Sequence, residues 1–249
     1  MTWVAVFIPF APYSLSLAEE TNEQNLAKGL SLPPKNVYSW RQMRKNLIKA
    51  IVFDLGEVLV KLDFSKIMAL RSISHSNVQH SIQSMNEWPL YDAFERGQVT
   101  ENQFIERLNQ DFRQSFTLEQ FRGVWNSVLR ETVNGVEDLL ENLSQHYQLY
   151  ALTNSNETHI QHLKANYPWT RFFTQVLTSY ELGCRKPEPQ IYEKLITIAQ
   201  CPANQILFFD DRLENVLGAK ALGIQAELIT QPSLDLPRIL ELIIPAPFK

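Results

Sequence analysis

The distribution of apolar residues along the chain separates buried strands from helices. Short apolar runs rich in β-branched residues occur without polar alternation, as strands of a parallel sheet covered on both faces require. Strands are predicted at residues 48–55, 149–152, 175–178, 206–209 and 225–229. Helical spacing predicts helices at residues 136–143, 157–165 and 213–221, and one that starts at Pro187. This alternation predicts an α/β fold with a doubly wound parallel sheet, which binds its ligand at the carboxyl ends of the strands.

A different pattern fills the stretch between the first strand and the other four. In residues 64–129 no strand-like run occurs, and apolar residues recur at helical spacing. The two clearest series are Phe104, Leu108 and Phe112, and Phe121, Trp125 and Leu129. Thr100 with Gln103, and Thr117 with Gln120, have the spacing of capping boxes that begin helices. The stretch is therefore predicted to be a helical insert.

These patterns divide the chain into three parts. We predict a core domain formed by residues 43–63 and 131–249, with a small helical domain at residues 64–130 inserted into it. Residues 1–42 precede every element and are expected to be a poorly ordered extension. A signal peptide at residues 1–18 is the alternative, because that stretch is mostly apolar and ends in small residues. Its lack of a basic residue argues against this alternative.

Composition and charge narrow the classes of function. The chain has a net charge of -4 without a basic patch, which gives no support to a nucleic-acid partner. No run of about 18 apolar residues is present, so a membrane partner is not expected either. The two cysteines, Cys184 and Cys201, match neither a disulfide framework nor a metal-binding spacing. A cytoplasmic protein acting on a small molecule is the expectation, and the oligomeric state stays open.

Polar residues follow three of the predicted strands at the point where each strand ends. Asp54 ends the first strand, residues 153–155 follow the second, and Asp210 and Asp211 end the fourth. Each feature alone is typical of a turn or a helix N-terminus. Because the carboxyl ends of parallel strands share one edge of the sheet, all of them are expected to lie close together. The sequence thus predicts three carboxylates and a hydroxyl-amide cluster in one place.

Three converging carboxylates need either a cation or shifted pKa values. Two carboxylates about 4 Å apart repel each other by roughly 4 kcal/mol at an effective dielectric constant of about 20. Oxygen ligands without histidine or cysteine suit Mg²⁺, which also binds phosphate oxygens. Lys186 would supply the positive charge that a phosphate dianion needs, although a surface lysine before a helix is the alternative interpretation.

These residues carry a resemblance to a known family. Residues 51–60, with sequence IVFDLGEVLV, resemble the first motif of the haloacid dehalogenase-like hydrolases. Thr153 with Asn154 resembles the second motif, Lys186 the third, and residues 208–215 the fourth. The four motifs occur in the order found in the family. The resemblance implies a Rossmann-like core and the activity of a Mg²⁺-dependent phosphatase.

The resemblance extends over about residues 46–230. The insert at residues 64–130 stands where the family has a type-one cap, so we call it the cap domain. Residues 94–97 in the cap, and residues 154–156 with His159, resemble one branch of the family. That branch contains bacterial α-D-glucose-1-phosphate phosphatases and the phosphatase domain of epoxide hydrolases.

The resemblance implies a nucleophile and a metal site. Asp54 would attack phosphorus, and its carboxylate would bind Mg²⁺ together with the carbonyl oxygen of Gly56. Asp211 would complete the metal site, with Asp210 beside it or behind it.

It also implies how the phosphoryl group is held. Thr153 and the backbone near Asn154 would hold the phosphoryl oxygens, and Lys186 would neutralise the aspartyl-phosphate. Asn215 would orient the loop around the metal site. His159 is expected on a helix surface, with an approach to the pocket as the alternative.

One position departs from the pattern of most phosphatases in the family. They carry a second Asp two residues after the nucleophile, as general acid and base, where this chain has Gly56. The glucose-1-phosphate branch resembles this glycine form, so activity is still expected. Glu57 is adjacent, but its side chain is expected to point away from the nucleophile.

The predicted function is hydrolysis of small phosphate monoesters through an aspartyl-phosphate, with sugar phosphates such as glucose 1-phosphate as candidate substrates. A 2-haloacid dehalogenase on the same fold is one alternative, which the paired Asp210 and Asp211 argue against because that reaction needs no metal. A non-catalytic binding protein is the other alternative, supported by Gly56.

Overall fold

The structure, a computed structural model, describes residues 48–67 and 88–243. The extension predicted at residues 1–42 and the alternative signal peptide at residues 1–18 lie outside the described residues. Part of the predicted cap domain, residues 68–87, lies outside them as well.

The described residues form two sheets. Their strands are β1 (Ala50–Phe53), β2 (Val60–Leu62), β3 (Leu129–Thr132), β4 (Gln148–Thr153), β5 (Gln175–Thr178), β6 (Ile206–Asp210) and β7 (Gln225–Leu228). Five of the strands form one parallel sheet in the order β5-β4-β1-β6-β7. The first strand of the chain is therefore central, and the strand order reverses beside it, which places a crevice at the carboxyl ends of β1, β4 and β6.

Helices cover both faces of this sheet and form the insert. They are α1 (Pro89–Glu95), α2 (Glu101–Phe112), α3 (Leu118–Asn126), α4 (Val136–Ser144), α5 (Glu157–Asn166), α6 (Ser179–Leu182), α7 (Pro189–Ala199), α8 (Leu213–Ala221) and α9 (Pro232–Ile243). Short 3-10 helices lie at Pro168–Phe172 and Ala203–Gln205. In the part of the chain that the structure describes, none of the helices has the length and apolar character needed to cross a membrane.

The central strand shows why the strand sequences are apolar throughout. In β1, Ile51 and Phe53 pack into one hydrophobic cluster, and Ala50 and Val52 pack into a second cluster on the opposite face. All four residues are fully buried. Because both faces of the sheet are covered by helices, no position of the strand tolerates a polar side chain. The α/β fold predicted from the sequence is confirmed.

One helix begins later than its sequence predicts. The start predicted at Pro187 is wrong, because α7 begins at Pro189. Glu188 precedes a proline, which disfavours helical backbone, and it has an extended conformation (φ -61°, ψ 136°). Pro189 then occupies the first turn, where its missing N–H group has no helical partner to lose.

A small antiparallel ribbon was not predicted. Strand β2 pairs with β3, with Val60 opposite Thr132 and Leu62 opposite Leu129. Leu129 was assigned to a helical series, but α3 ends at Asn126 and Leu129 lies in β3. The ribbon joins the insert to the core, since one strand precedes the insert and the other follows it. Leu62 packs against the hydrophobic clusters of both parts.

The insert has a hydrophobic cluster of its own. Its large aromatic members are Tyr91, Phe94, Phe104, Phe121 and Trp125. Both predicted capping boxes are confirmed, since the side chains of Thr100 and Thr117 accept hydrogen bonds from the backbone N–H groups of Gln103 and Gln120, and the glutamine side chains accept in return. The exact domain bounds stay a prediction.

Within the described part of the insert, contacts on two of its sides join it to the core. On one side, Nε2 of His159 in α5 donates to the carbonyl oxygen of Trp125 in α3 (3.0 Å). On the other side, the chain after α1 passes close to α6. A Cβ atom at Gly97 would lie only 2.3 Å from the carbonyl oxygen of Tyr180. Only glycine fits this approach, which also has a positive φ of 67°.

This close approach predicts an unequal effect of two alanine substitutions. Gly97 and Gly183 have nearly the same φ, 67° and 70°, but a Cβ at Gly183 would meet nothing within 4 Å. Gly183→Ala should lose about 1–2 kcal/mol of unfolding free energy through its backbone conformation alone. Gly97→Ala should lose roughly 1–3 kcal/mol more, because the added methyl group strikes backbone. Urea unfolding of both variants measures the difference, and equal losses would show that the insert does not pack on α6 in this way.

Candidate active site

The ends of two adjacent strands bring the predicted acidic residues together. Asp54 follows β1, and Asp210 ends β6 with Asp211 next to it. The backbone N–H of Asp54 still donates to the carbonyl oxygen of Phe209 (2.8 Å), so the strand pairing fixes its position. Carboxylate oxygens of Asp54, Asp210 and Asp211 lie within 4.8 Å of one another.

Lys186 lies inside this acidic cluster. Its Nζ donates to Oδ1 of Asp54 (2.9 Å), Oδ2 of Asp210 (2.7 Å) and the carbonyl oxygen of Leu152 (2.7 Å). An ammonium group has three N–H donors, so these acceptors use all of them. The side chain is only 1% exposed, which excludes the alternative interpretation as a surface lysine.

Burial and mutual repulsion shift the pKa values of the cluster. Burial raises the pKa of Asp54, the charge of Asp210 raises it further, and Lys186 acts against both. Burial and the charges of Asp54 and Asp210 raise the pKa of Asp211 to about 7. Burial alone would lower the pKa of Lys186, but Asp210 and Asp54 raise it above its ordinary value.

The charge balance of the cluster fits a divalent cation. Three carboxylates face one ammonium group, which leaves negative charge uncompensated when all are ionised. The donors are oxygen atoms, which Mg²⁺ prefers. The residues present therefore fit the ion that the sequence predicts.

The two neighbouring aspartates have different surroundings. Asp210 is completely buried. Its Oδ2 accepts from Lys186, and its Oδ1 accepts from the backbone N–H of Arg212 (2.9 Å) and from Nδ2 of Asn215 (2.8 Å). Asp211 is only partly buried. Protein donors thus hold both carboxylate oxygens of Asp210, whereas Asp211 is the more accessible of the two aspartates.

A tight turn follows Asp54. The backbone N–H groups of Leu59 and Val60 donate to the carbonyl oxygen of Leu55 (2.9 and 3.0 Å). The carboxylate of Glu57 accepts from the backbone N–H of Leu62 (2.8 Å), so its oxygen is engaged at the ribbon, as expected of a side chain without a catalytic role. A Cβ atom at Gly56 would lie 2.8 Å from Cδ1 of Leu62. The ribbon therefore occupies the space that a larger residue at position 56 needs.

Asn154, in the second motif, holds the backbone of Lys186, in the third. Oδ1 of Asn154 accepts from the backbone N–H of Lys186 (2.8 Å), and Nδ2 of Asn154 donates to the carbonyl oxygen of Lys186 (2.9 Å). The side chain of Asn154 thus holds the backbone of Lys186. Thr153 is buried at the end of β4, the strand next to β1.

His159 does not lie on the surface, and the expectation of a helix-surface histidine is wrong. It is buried, its ring stacks on Trp125 at 5.7 Å between centroids, and Nδ2 of Asn156 lies 3.3 Å from its Nδ1. Burial lowers its pKa to about 4, so the ring is neutral at pH 7. The sequence did not indicate this, because the insert covers a face of α5 that would otherwise meet water.

A group of ion pairs beside the cluster was also missed. Arg185 binds Asp92 and Glu95 of α1 (2.7 Å each), and Glu188 binds Arg96 (3.0 Å). The acidic and basic residues of each segment are visible in the sequence. Their pairing depends on how the insert packs against the core, which the local pattern does not reveal.

Residues 48–223 match the haloacid dehalogenase-like hydrolases. The chain belongs to this family. The recognition of the family from four short motifs is confirmed, as is the fold class.

Two curated relatives are phosphatases by name. The chain is 24% identical to D-ribitol-5-phosphate phosphatase of Bacteroides thetaiotaomicron over 186 residues, 72% of this chain and 90% of the relative. It is 27% identical to a sesquiterpene phosphatase of Aspergillus oryzae over 182 residues, 71% of this chain and 87% of the relative.

A solved structure shows the same fold with a metal ion. It is a haloacid dehalogenase family enzyme of Bacteroides thetaiotaomicron in complex with magnesium and inorganic phosphate. The likeness has a TM-score of 0.66 and 27% identity, and covers 74% of this chain and 94% of that one.

Proposed function

We propose that this enzyme is a phosphoric monoester hydrolase that requires Mg²⁺ and forms an aspartyl-phosphate on Asp54. The observation that carries the proposal is the position of Asp54, whose carboxylate lies against both Lys186 and the acidic pair. The names of the two curated relatives support phosphatase chemistry on small substrates. The magnesium complex of the related enzyme supports the choice of metal. Both cysteines are free and buried, which agrees with a reducing, cytoplasmic location.

Asp54 acts as the nucleophile through one defined oxygen. Because Lys186 donates to Oδ1, Oδ2 is the oxygen left to attack phosphorus. An ionised carboxylate needs no base to become nucleophilic, but burial raises the pKa of Asp54 and so works against ionisation. Asp54, Asp211 and the carbonyl oxygen of Gly56 would hold Mg²⁺, which would supply positive charge that favours the ionised carboxylates and balances the phosphoryl group.

Lys186 stabilises charge in both halves of the reaction. During attack, the bond from Oδ2 to phosphorus forms and the bond from phosphorus to the leaving oxygen breaks. Water then attacks phosphorus and its proton passes to solvent, while the bond from phosphorus to Oδ2 breaks and its electron pair returns to the carboxylate of Asp54. Lys186 donates to Oδ1 throughout the reaction. Its positive charge therefore stays close to the Asp54 carboxylate, whose negative charge is lost on attack and restored on hydrolysis. Thr153 and the backbone of Asn154 hold the phosphoryl oxygens.

The acidic pair also distinguishes this function from the alternatives. A dehalogenase has no use for a metal ion, yet Asp211 stands beside two other carboxylates with its pKa raised to about 7. A binding protein has no use for a buried lysine that engages the nucleophile. Retention of both features favours the phosphatase.

Gly56 suggests a class of leaving group. Without an acid at this position, the enzyme is proposed to favour esters whose leaving oxygen tolerates negative charge. Anomeric phosphates such as glucose 1-phosphate have such an oxygen, because the ring oxygen acidifies the anomeric hydroxyl group. Primary phosphates do not, and one relative is named for such an ester, D-ribitol 5-phosphate. The substrate class thus needs its own test.

We predict that Asp54→Asn abolishes turnover of p-nitrophenyl phosphate while the protein stays folded. The substitution keeps the shape of the side chain but removes the nucleophilic oxygen. Asp138→Asn, at an exposed position of α4, is the matched control and should keep wild-type activity. Turnover of Asp54→Asn within about tenfold of wild type would show that another group is the nucleophile.

We predict that a chelator abolishes activity and that the two neighbouring aspartates respond differently to substitution. Asp211→Asn should raise the Mg²⁺ concentration needed for half-maximal activity, and it should not lower the stability of the metal-free protein because it removes a repelling charge. Asp210→Asn should lose roughly 3–5 kcal/mol of stability, because it breaks a buried pair with Lys186. Full activity in excess chelator would support the dehalogenase instead.

We predict that the wild-type enzyme has a higher kcat/KM for glucose 1-phosphate than for glucose 6-phosphate. Restoring an acid should raise hydrolysis of the 6-phosphate by up to about 10²-fold. The variant needs room, since a Cβ at Gly56 meets Leu62. We therefore compare Gly56→Asp/Leu62→Ala with Leu62→Ala alone. Equal kcat/KM values of the wild-type enzyme for the two esters would reveal another acid. They would refute the proposal that Gly56 restricts the enzyme to leaving oxygens that tolerate negative charge.

A further inference from the structure

The loop that carries Lys186 has charged residues on both sides of the lysine, and both contact the insert. Arg185 donates through one terminal nitrogen to Oδ1 of Asp92 and approaches Oε2 of Glu95 with the other, at 2.7 Å in each case. The Arg185 and Glu95 side chains are 12% and 5% exposed. An ion pair so well buried is costly to break, unlike a pair on the surface.

Glu188 makes the second contact, two residues after the lysine. Both of its carboxylate oxygens accept from the guanidinium group of Arg96, in a bidentate arrangement. Nε of Arg96 also donates to Oδ2 of Asp92 (2.7 Å). The backbone N–H of Arg185 donates to Oε2 of Glu188 (3.2 Å), which closes the loop on itself.

The loop is thus held from two directions. Asn154 in the core holds the backbone of Lys186 on both sides. The end of α1 holds Arg185 and Glu188. The three bonds of the Lys186 ammonium group are 2.7–2.9 Å long, and a shift of about 1 Å would take them outside hydrogen-bonding distance.

We propose that Arg96 and Glu188 are positioning residues: together with Arg185 they use the docked insert to hold Lys186 against Asp54. The inference rests on the proposed phosphatase function. It assigns the insert a part in the chemical step, in addition to covering the site. The positioning residues act through Lys186 and do not themselves touch the phosphoryl group.

The test uses Arg96 and Glu188, because they are the partly exposed pair of the group, with side chains 21% and 35% exposed, and the protein should tolerate their substitution. We compare Arg96→Ala, Glu188→Gln and the double variant with p-nitrophenyl phosphate and Mg²⁺. Each single variant should lower kcat roughly tenfold with little change in KM, since misplacing a catalytic group affects the chemical step. The double variant should be no slower than the worse single variant. Arg96→Lys, which keeps the charge, should recover part of kcat.

Arg122→Ala is the matched control. Arg122 makes a similar arginine–carboxylate pair with Glu101 in the insert, and Glu101 in turn accepts from Thr158 of the core (2.7 Å). Through the bond between Glu101 and Thr158, this pair supports the docking of the insert on the core, and it does not contact the Lys186 loop. Its loss should leave kcat within about twofold of wild type, by the additivity of distant sites.

Three results would overturn the proposal. One is an unchanged kcat in Arg96→Ala and Glu188→Gln, whatever their unfolding free energies. Another is an equal fall in kcat for Arg122→Ala, which would make docking of the insert in general responsible. The third is losses that multiply in the double variant. Loss of turnover in Asp54→Asn together with any of these results would sink the positioning role alone and leave the phosphatase function standing.

Discussion

The ammonium group of Lys186 holds together a cluster of like charges that would otherwise repel one another. It is buried between the carboxylates of Asp54 and Asp210, and it donates its third hydrogen to the carbonyl oxygen of Leu152. The strand order places these acceptors at the ends of adjacent strands, β1, β6 and β4. Even with the lysine in place, the pKa of Asp211 is raised to about 7. The negative charge that Lys186 does not neutralise favours the binding of a divalent cation.

The rest of the structure can be understood as support for that contact. The sheet is buried on both faces, so β1 and β6 cannot shift without exposing apolar side chains. Asn154 fixes the backbone of Lys186 from the core, and the charged end of α1 contacts the same loop from the insert. Asn215 and the backbone of Arg212 hold Asp210 in the orientation that the lysine requires. Every one of these contacts links an element of the fold to the position of one side chain.

The sequence predicted the parts that depend on local pattern. The strand at residues 175–178 and the helix at residues 213–221 have the predicted bounds, because buried parallel strands and amphipathic helices leave clear signatures. The acidic cluster was predicted because strand ends in a parallel sheet share an edge. The β2–β3 ribbon, the burial of His159 and the pairing of Glu188 with Arg96 were not, since each depends on where the insert packs. Residue types were sufficient to suggest the chemistry, and long-range packing determined the contacts that position it.

Asp54 is proposed to take up the phosphoryl group, and chemical trapping of the phosphorylated enzyme would detect this intermediate. The enzyme is mixed with Mg²⁺ and excess p-nitrophenyl phosphate, quenched in acid during the burst of nitrophenol release, and digested for mass spectrometry. We expect one added phosphoryl group on the peptide that contains Asp54, and none when Mg²⁺ is withheld. A phosphoryl group on a different residue, or an unmodified Asp54 peptide while a burst shows that an intermediate accumulates, would contradict it.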